Sequence, residues 1–419
     1  MSSQCFAPSM FKKNKDRLKL SLNKVLWLFI ALHLGLLTLV GLVNFPEDQL
    51  YLQAESSQYL LDSFNPALHP VIGNFHEYSK LRVGLIVEHD GPLGEGKHVM
   101  YDGISGSDYM ELVGVYQANG KNYDTFQNVQ LWVIDNVRVR ASTEDEVDFF
   151  IAGLFLNSTT PVLVIDFHDD PYREYGYMAI FGAVDKPHVR LAKRSIVLDR
   201  YLTKQSNIHL GHLQENNGTA EGPTLHISYC VRNDIVNEIR RQTSFPPGMN
   251  RSLDVVHLWN VNDTKYFSSY RSRVSSLVEA MQGREVAGRA IRTSTELQGE
   301  HSHAGRWNAN PEYVAMLLRS KIVVVTQRDR WEDSYRLMEA LTAGGMVLAD
   351  TMLAPPPGIV DGVHLRFFSS WRDLRKLIIF YLEHEQDRKR IAQAGLEEAM
   401  GRHRSWHRME EVVFGKLMV

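Results

Sequence analysis

Short apolar runs, each closed by an acidic or Gly/Pro turn, recur along this chain and restrict its fold more than any other feature. LRVGLIVEHDGP opens at Leu81, VQLWVIDN at Val129 and TPVLVIDFHDDP at Thr160; further on come LDVVHLW at Leu253, KIVVVTQ at Lys321 and MVLAD at Met346. A strand covered on both faces has no polar side to show, so it reads as a continuous apolar run. Between two of these runs, TEDEVDFFIAGLFLN places Val147, Phe150, Ile151 and Leu154 at helical spacing behind Thr143 and acidic residues suited to a helix start. RSIVLDRYL and TLHISYCV are further candidate strands. Strands alternating with helices predict an α/β protein with mainly parallel sheets.

The series is interrupted once, at TSFPPGMNRS (Thr243–Ser252), and then restarts. YFSSYRSRVSSLVEAMQG predicts a helix ending at Gly283, NPEYVAMLLRS another, and VHLRFF a short strand. WRDLRKLIIFYLEHEQDRKRIAQAGLEEAMGRH predicts two amphipathic helices. Two successive α/β units of roughly 170 residues each agree with ordinary domain sizes. The boundaries read are 81–250 and 251–419.

In the second unit, RDRWEDSYRLMEALTAGGMVLAD has the layout of a strand, loop and helix that faces an anion. Asp333 or Ser334 can cap the helix start, and Gly344 and Gly345 stop it. In an open α/β sheet the crevice beyond the strand ends takes the ligand, and a helix N-terminus there offers unbonded N–H groups. Tyr335, Met338 and Leu341 form the apolar stripe expected to face the sheet, with Arg336 and Glu339 on a different face. Periodicity alone makes that pair a solvated ion pair worth about 0.2–0.5 kcal/mol.

The series from Asn310 to Glu411, with its RLMEALTAGG helix between two strands and its FYLEHEQDRKRIAQAG helices, resembles the C-terminal half of GT-B glycosyltransferases. Among these it resembles the spore-maturation-type (CgeB-like) and exostosin-like groups. The resemblance implies two Rossmann-like doubly wound domains, with a nucleotide-sugar donor in the second and an acceptor against the first. It implies that Arg336 contacts the donor diphosphate and Glu339 the ribose, with Arg328 and Glu332 near the donor. Glu332 and Glu339 enclose one residue fewer than the glutamates of many retaining members, so the stereochemistry stays open. Asp350 either reaches the crevice or caps the next turn.

In the first unit, EHDGP follows the first strand, and His89 or Asp90 is the candidate base that deprotonates an acceptor hydroxyl. Ordinary turn chemistry is the competing account of both. DFHDDP (Asp166–Pro171) looks like an acidic metal motif, but the two-unit organisation argues against that use. His301 and His303 in HSHAGRW lack a third ligand at suitable spacing. No metal is expected, and no cofactor beyond the nucleotide-sugar co-substrate.

Upstream, Lys12, Lys13, Lys15, Arg17, Lys19 and Lys24 lead into the apolar run Val25–Val43. Such a run matches a bilayer core of roughly 30 Å, and the basic flank places residues 1–24 in the cytosol. Residues 25–43 are thus expected to be a signal anchor, 44–80 a stem helical from Pro46 to Phe64, and the body lumenal in the Golgi or ER. Sequons at Asn157, Asn217, Asn250 and Asn262 agree with that location, and Cys5 and Cys230 then lie on opposite sides of the membrane. A net charge of −3 excludes a nucleic-acid partner held by bulk charge. The expected function is transfer of a sugar to a glycan or glycoprotein. A non-catalytic nucleotide- or carbohydrate-binding membrane protein of the same fold is the alternative, and a tethered structural protein leaves the Arg328–Asp350 layout unexplained.

Overall fold

The computed structural model describes residues 80–87, 97–117, 126, 128–135, 149–167, 186–194, 225–248, 251–259, 269–295, 308–326, 333–352 and 355–415. The expected tail, anchor and stem lie outside them, apart from Lys80. Among the described residues no helix is long and apolar enough to cross a membrane.

Two parallel sheets are present. The first contains β1 (Leu81–Val87), β2 (Met110–Gln117), β3 (Leu131–Asp135), β4 (Val162–Asp166), β5 (Val189–Lys193) and β6 (Leu225–His226), in the order β2-β1-β3-β4-β5-β6. The second contains β7 (Leu253–Val256), β10 (Thr293–Ser294), β11 (Ser320–Val325), β12 (Met346–Asp350) and β13 (Arg366–Phe368), in the order β10-β7-β11-β12-β13. β8 (Glu285–Val286) and β9 (Arg289–Ala290) form a small antiparallel hairpin beside it. Both sheets reverse direction once. The chain leaves β1 for β2 on one side and places β3 on the other; β7, β10 and β11 repeat the pattern. This is the Rossmann-like arrangement expected of the two units.

Alternation along the strands divides their side chains between two cores per sheet, as the strand period of two requires. Leu81, Val83, Leu85, Leu131 and Val133 face one core, whereas Ile86, Trp132, Ile134, Val162 and Val164 face the other with Ile151, Leu154 and Phe155 of α2 (Phe149–Asn157). In the second sheet, Val256, Val323, Val325 and Val347 pack with α3 (Asn233–Gln242), α5 (Pro311–Arg319) and α6 (Tyr335–Thr342). Val255, Ile322, Val324 and Leu348 pack with α4 (Ser269–Glu279), α7 (Trp371–Glu383) and α8 (Glu385–Arg402).

Several elements depart from the sequence expectation. β2 and β5 were not foreseen. β2 is an edge strand, with Glu111 exposed and bonded to Arg82 at 3.0 Å, and β5 carries Arg190 and Lys193. RSIVLDRYL falls outside the described residues except for Arg194, which already lies past the end of β5. TLHISYCV contributes only the two paired residues of β6 before running on to a bridge between Val231 and Arg404. A third C-terminal helix, α9 (Ser405–Phe414), follows the two expected ones and packs against α1 (Asp102–Gly106) and the first core.

Candidate functional site

The reversal between β7 and β11 opens the second sheet at its C-terminal edge, the place where ligands bind in open α/β sheets. His257 stands just past β7 and Thr326 just past β11. The His257 ring bridges Ser275 Oγ of α4 at 2.8 Å (Nδ1) and Thr326 Oγ1 at 2.9 Å (Nε2). Burial, reinforced by the nearby Arg271 and Arg336, pushes its pKa down to about 3. The ring is therefore neutral at physiological pH, and one nitrogen donates while the other accepts.

Two residues beyond His257, the Trp259 indole receives two cations. The guanidinium carbon of Arg271, from the first turn of α4, lies 3.6 Å from the ring centre, and that of Arg336, from α6, lies 3.9 Å away. Arg271 is buried and donates to the Thr326 carbonyl at 3.1 Å. A guanidinium on an indole gains roughly 0.5–2 kcal/mol, depending on its desolvation. That attraction favours bringing the two like charges together on one ring.

Helix α6 forms where expected. Ser334 is its extended N-cap residue, but its side chain makes no capping bond, and Asp333 does not cap it either. Gly344 ends the helix in the left-handed region, φ 67°, where a side chain would be strained. The faces differ from the expected stripe. Met338 and Leu341 pack into the second sheet's core, but Tyr335 turns into the first core, 3.8 Å ring to ring from Tyr229.

Arg336 and Glu339 therefore share a helix but not an environment. Glu339 is buried, and its oxygens accept from Arg232 Nη1 at 3.2 Å and from the Tyr313 hydroxyl at 2.8 Å. The solvated pair read from periodicity alone is not what forms. Burial, then the Glu339 charge, raises the Tyr313 pKa well above normal, so it stays a donor. Arg232 also holds Asp234, with Nη2 donating to Oδ2 at 2.6 Å. Each Glu339 oxygen keeps a second lone pair for another donor.

Asp350 is half-buried at the end of β12, opposite Phe368, one strand further from the reversal than β11. Arg328, Glu332, His89 and Asp90 lie outside the described residues, as do Asn217, Asn250, Asn262, His301 and His303. β1, which leads to His89 and Asp90, does flank the reversal of the first sheet. Asn157 ends α2 and is exposed. Of the acidic DFHDDP segment, Asp166 is described: it is fully buried and pairs with Lys193 Nζ at 3.1 Å. Among the described residues, no three His, Cys, Asp or Glu side chains gather as a metal site would require.

Sequence reading missed His257, Trp259, Arg271 and Thr326. Their signal was position: they follow strands or open a helix at a reversal that only the strand order reveals.

One comparison with known proteins, a family model, agrees with the second unit's reading. Residues 272–413 match the family model described as glycosyl transferase-like. No curated protein matches the chain. Among solved structures, an alpha-glucosyltransferase in complex with UDP-glucose and DNA containing an abasic site is 11% identical, with a TM-score of 0.49 over 80% of this chain and 98% of that one. HepE from Anabaena, in complex with UDP and glucose, is 11% identical, with a TM-score of 0.42 over 78% and 96%. Sucrose-phosphate synthase from Thermosynechococcus elongatus is also 11% identical, with a TM-score of 0.42 over 78% and 95%.

Proposed function

We propose, from the match of residues 272–413 to a glycosyl transferase-like family model, that this chain moves a sugar from a nucleotide-sugar donor to a hydroxyl of a glycan or glycoprotein. The observation that carries the donor assignment is the meeting of Arg271 and Arg336 on Trp259 at the reversal of the second sheet. The acceptor oxygen bonds to the anomeric carbon, the bond from that carbon to the diphosphate oxygen breaks, and its electron pair leaves with the nucleoside diphosphate. Arg336, Arg271 and the N–H groups at the start of α6 stabilise that developing charge, and Glu339 receives the ribose hydroxyls. Arg328 and Glu332 complete the donor wall, with Asp350 at its edge. The acceptor proton passes to Asp90 or His89, a choice supported by the place of β1 at the first sheet's reversal.

Thermal shift against a panel of nucleoside diphosphates, with product release from the matching sugar nucleotides, tests this reading. The wild type is expected to be stabilised, and Arg336→Ala to weaken binding by about tenfold or more, as loss of one charge-assisted contact implies. Equal binding by Arg336→Ala and wild type would remove Arg336 from the site. A second reading, binding without catalysis, is favoured by one observation: Glu332 and Glu339 enclose one residue fewer than the glutamates of many retaining members. Binding without turnover over a broad acceptor panel would select it.

The body is further proposed to be lumenal in the Golgi or ER, behind a signal anchor at Val25–Val43, because a basic flank precedes a bilayer-length apolar run. In sealed microsomes the body should resist added protease, and Asn157→Gln should remove one endoglycosidase-sensitive mass increment. Digestion of the body without detergent would refute this topology.

A further inference from the structure

Asp333 immediately precedes the N-cap of α6, yet its bonds run to the other sheet. Its Oδ2 accepts the Tyr229 backbone N–H at 2.5 Å, and its carbonyl accepts Arg194 Nη1 at 2.8 Å. Arg194 directly follows β5, and Tyr229 lies in the extended segment after β6. Arg194 also donates to the Phe167 carbonyl, after β4, at 3.3 Å, and its guanidinium lies 4.8 Å from the centre of the Tyr229 ring. That ring stacks on Phe167 at 5.3 Å and meets Tyr335, the first residue of α6, at 3.8 Å. The start of a second-sheet helix is thereby tied to the strand ends of the first.

Asp333 is also held in a conformation that few residues tolerate. Its φ is 68°, in the left-handed region where Asp and Asn are the usual non-glycine occupants. Its carboxylate is buried, which by itself raises its pKa, with Arg194, the Tyr229 N–H and Arg408 opposing that shift. A simple cap would have spent the carboxylate on the first turn of α6, one residue away. Here the N-cap Ser334 makes no capping bond with its own side chain, and the Asp333 carboxylate goes to Tyr229.

We propose that Asp333 is a positioning residue that fastens the start of α6 to the first sheet, so that the acceptor-side domain sets the placement of the donor-side amides and of Arg336. The donor part of this inference rests on the function proposed above; the fastening itself does not. With the tie in place, a donor meets an already ordered helix start; without it, binding must also supply the ordering.

Two variants of the full chain separate backbone from carboxylate. Asp333→Gly keeps the left-handed backbone and removes the acceptor; Asp333→Asn keeps an acceptor oxygen and tolerates the same φ. Hydrogen exchange without nucleotide is the first readout. Asp333→Gly should speed exchange at the Tyr229 amide and the start of α6 by about tenfold, the effect of one lost buried bond, while Asp333→Asn stays close to wild type. Unchanged exchange in Asp333→Gly overturns the fastening. Binding of UDP and GDP, and donor KM against kcat, form the second readout. Asp333→Gly should raise the nucleotide Kd and donor KM by about tenfold with kcat little changed, and Asp333→Asn should rescue both. Lower kcat and melting temperature with unchanged nucleotide affinity would overturn the positioning role. If the wild type binds neither nucleotide, the donor reading fails for these two bases, and the exchange data alone decide whether the fastening exists.

Discussion

His257 shows how one side chain ties the crevice to its supports. Its two hydrogen bonds join α4 and the end of β11 behind the two arginines, and burial keeps the ring neutral. Protonation would place a third positive charge beside Arg271 and Arg336. The pKa is lowered from 6.5 to about 3, so between those values the unfolded chain takes up a proton that the folded chain refuses. Folding stability should therefore fall as pH drops through that window, with this residue contributing at most about 1.4 kcal/mol per pH unit, and should be insensitive to it above 6.5. Denaturant unfolding at pH values from 7 to 4 checks this. His257→Gln should show a shallower decline than wild type whatever its absolute stability, and parallel profiles would contradict the assignment. His403, also lowered to about 4 by burial, remains in both proteins and accounts for part of the residual slope. None of this was legible at residue level. In LDVVHLW, His257 and Trp259 read as the tail of an apolar strand, and only the neighbouring strand ends give them partners.

At the scale of elements, continuous apolar runs were the dependable signal. β1, β3, β4, β7 and β12 lie within the runs that announced them and β11 starts one residue before its run, because burial on both faces imposes that composition. β2 and β5 escaped notice because their ladders include Glu111, Arg190 and Lys193, so burial is shared with charged or edge positions. α6 illustrates the limit in another way. Its ends were legible from Ser334 and Gly344, but a stripe of three apolar residues implies one core, and this helix touches two. Glu339 follows from the same fact. A carboxylate on the supposedly solvated face becomes buried when the segment carrying Arg232 covers that face, and Arg232 and Tyr313 then satisfy it. Burial favours loss of the Arg232 proton, but Glu339 and Asp234 reverse that tendency and keep the guanidinium charged. The candidate site was thus readable as a segment and unreadable as a set of partners, which come from strands and helices remote in sequence.

In the whole molecule, elements cross between the two sheets in both directions. α3 precedes the second sheet in the chain, yet Ile235, Val236 and Ile239 belong to that sheet's core. α9 follows the second sheet, yet Met409, Val412, Val413 and Phe414 belong to the first core. The α9 contact is close. Gly103 of α1 approaches so nearly that a Cβ there would meet Met409 Cγ at 2.5 Å, and Glu410 accepts from the buried Ser107 hydroxyl at 2.6 Å. The first sheet's core is therefore completed by residues at the far end of the described chain, whereas neither core of the second sheet includes a residue of α9. Removing α9 should have unequal effects. A chain ending after Arg402 should show faster exchange and easier proteolysis across β1, β2 and α1, while β7, β11 and β12 keep their protection. Met409→Ala, a milder version, should cost about 2–5 kcal/mol in the unfolding of the first sheet, from the lost side chain and the cavity it leaves. Adding a peptide of residues 403–415 to the shortened chain should restore protection, because the apolar face it covers remains in place. Equal loosening of both sheets would mean that they unfold as one unit; unchanged protection of β1 would show that α9 is dispensable to the core it completes.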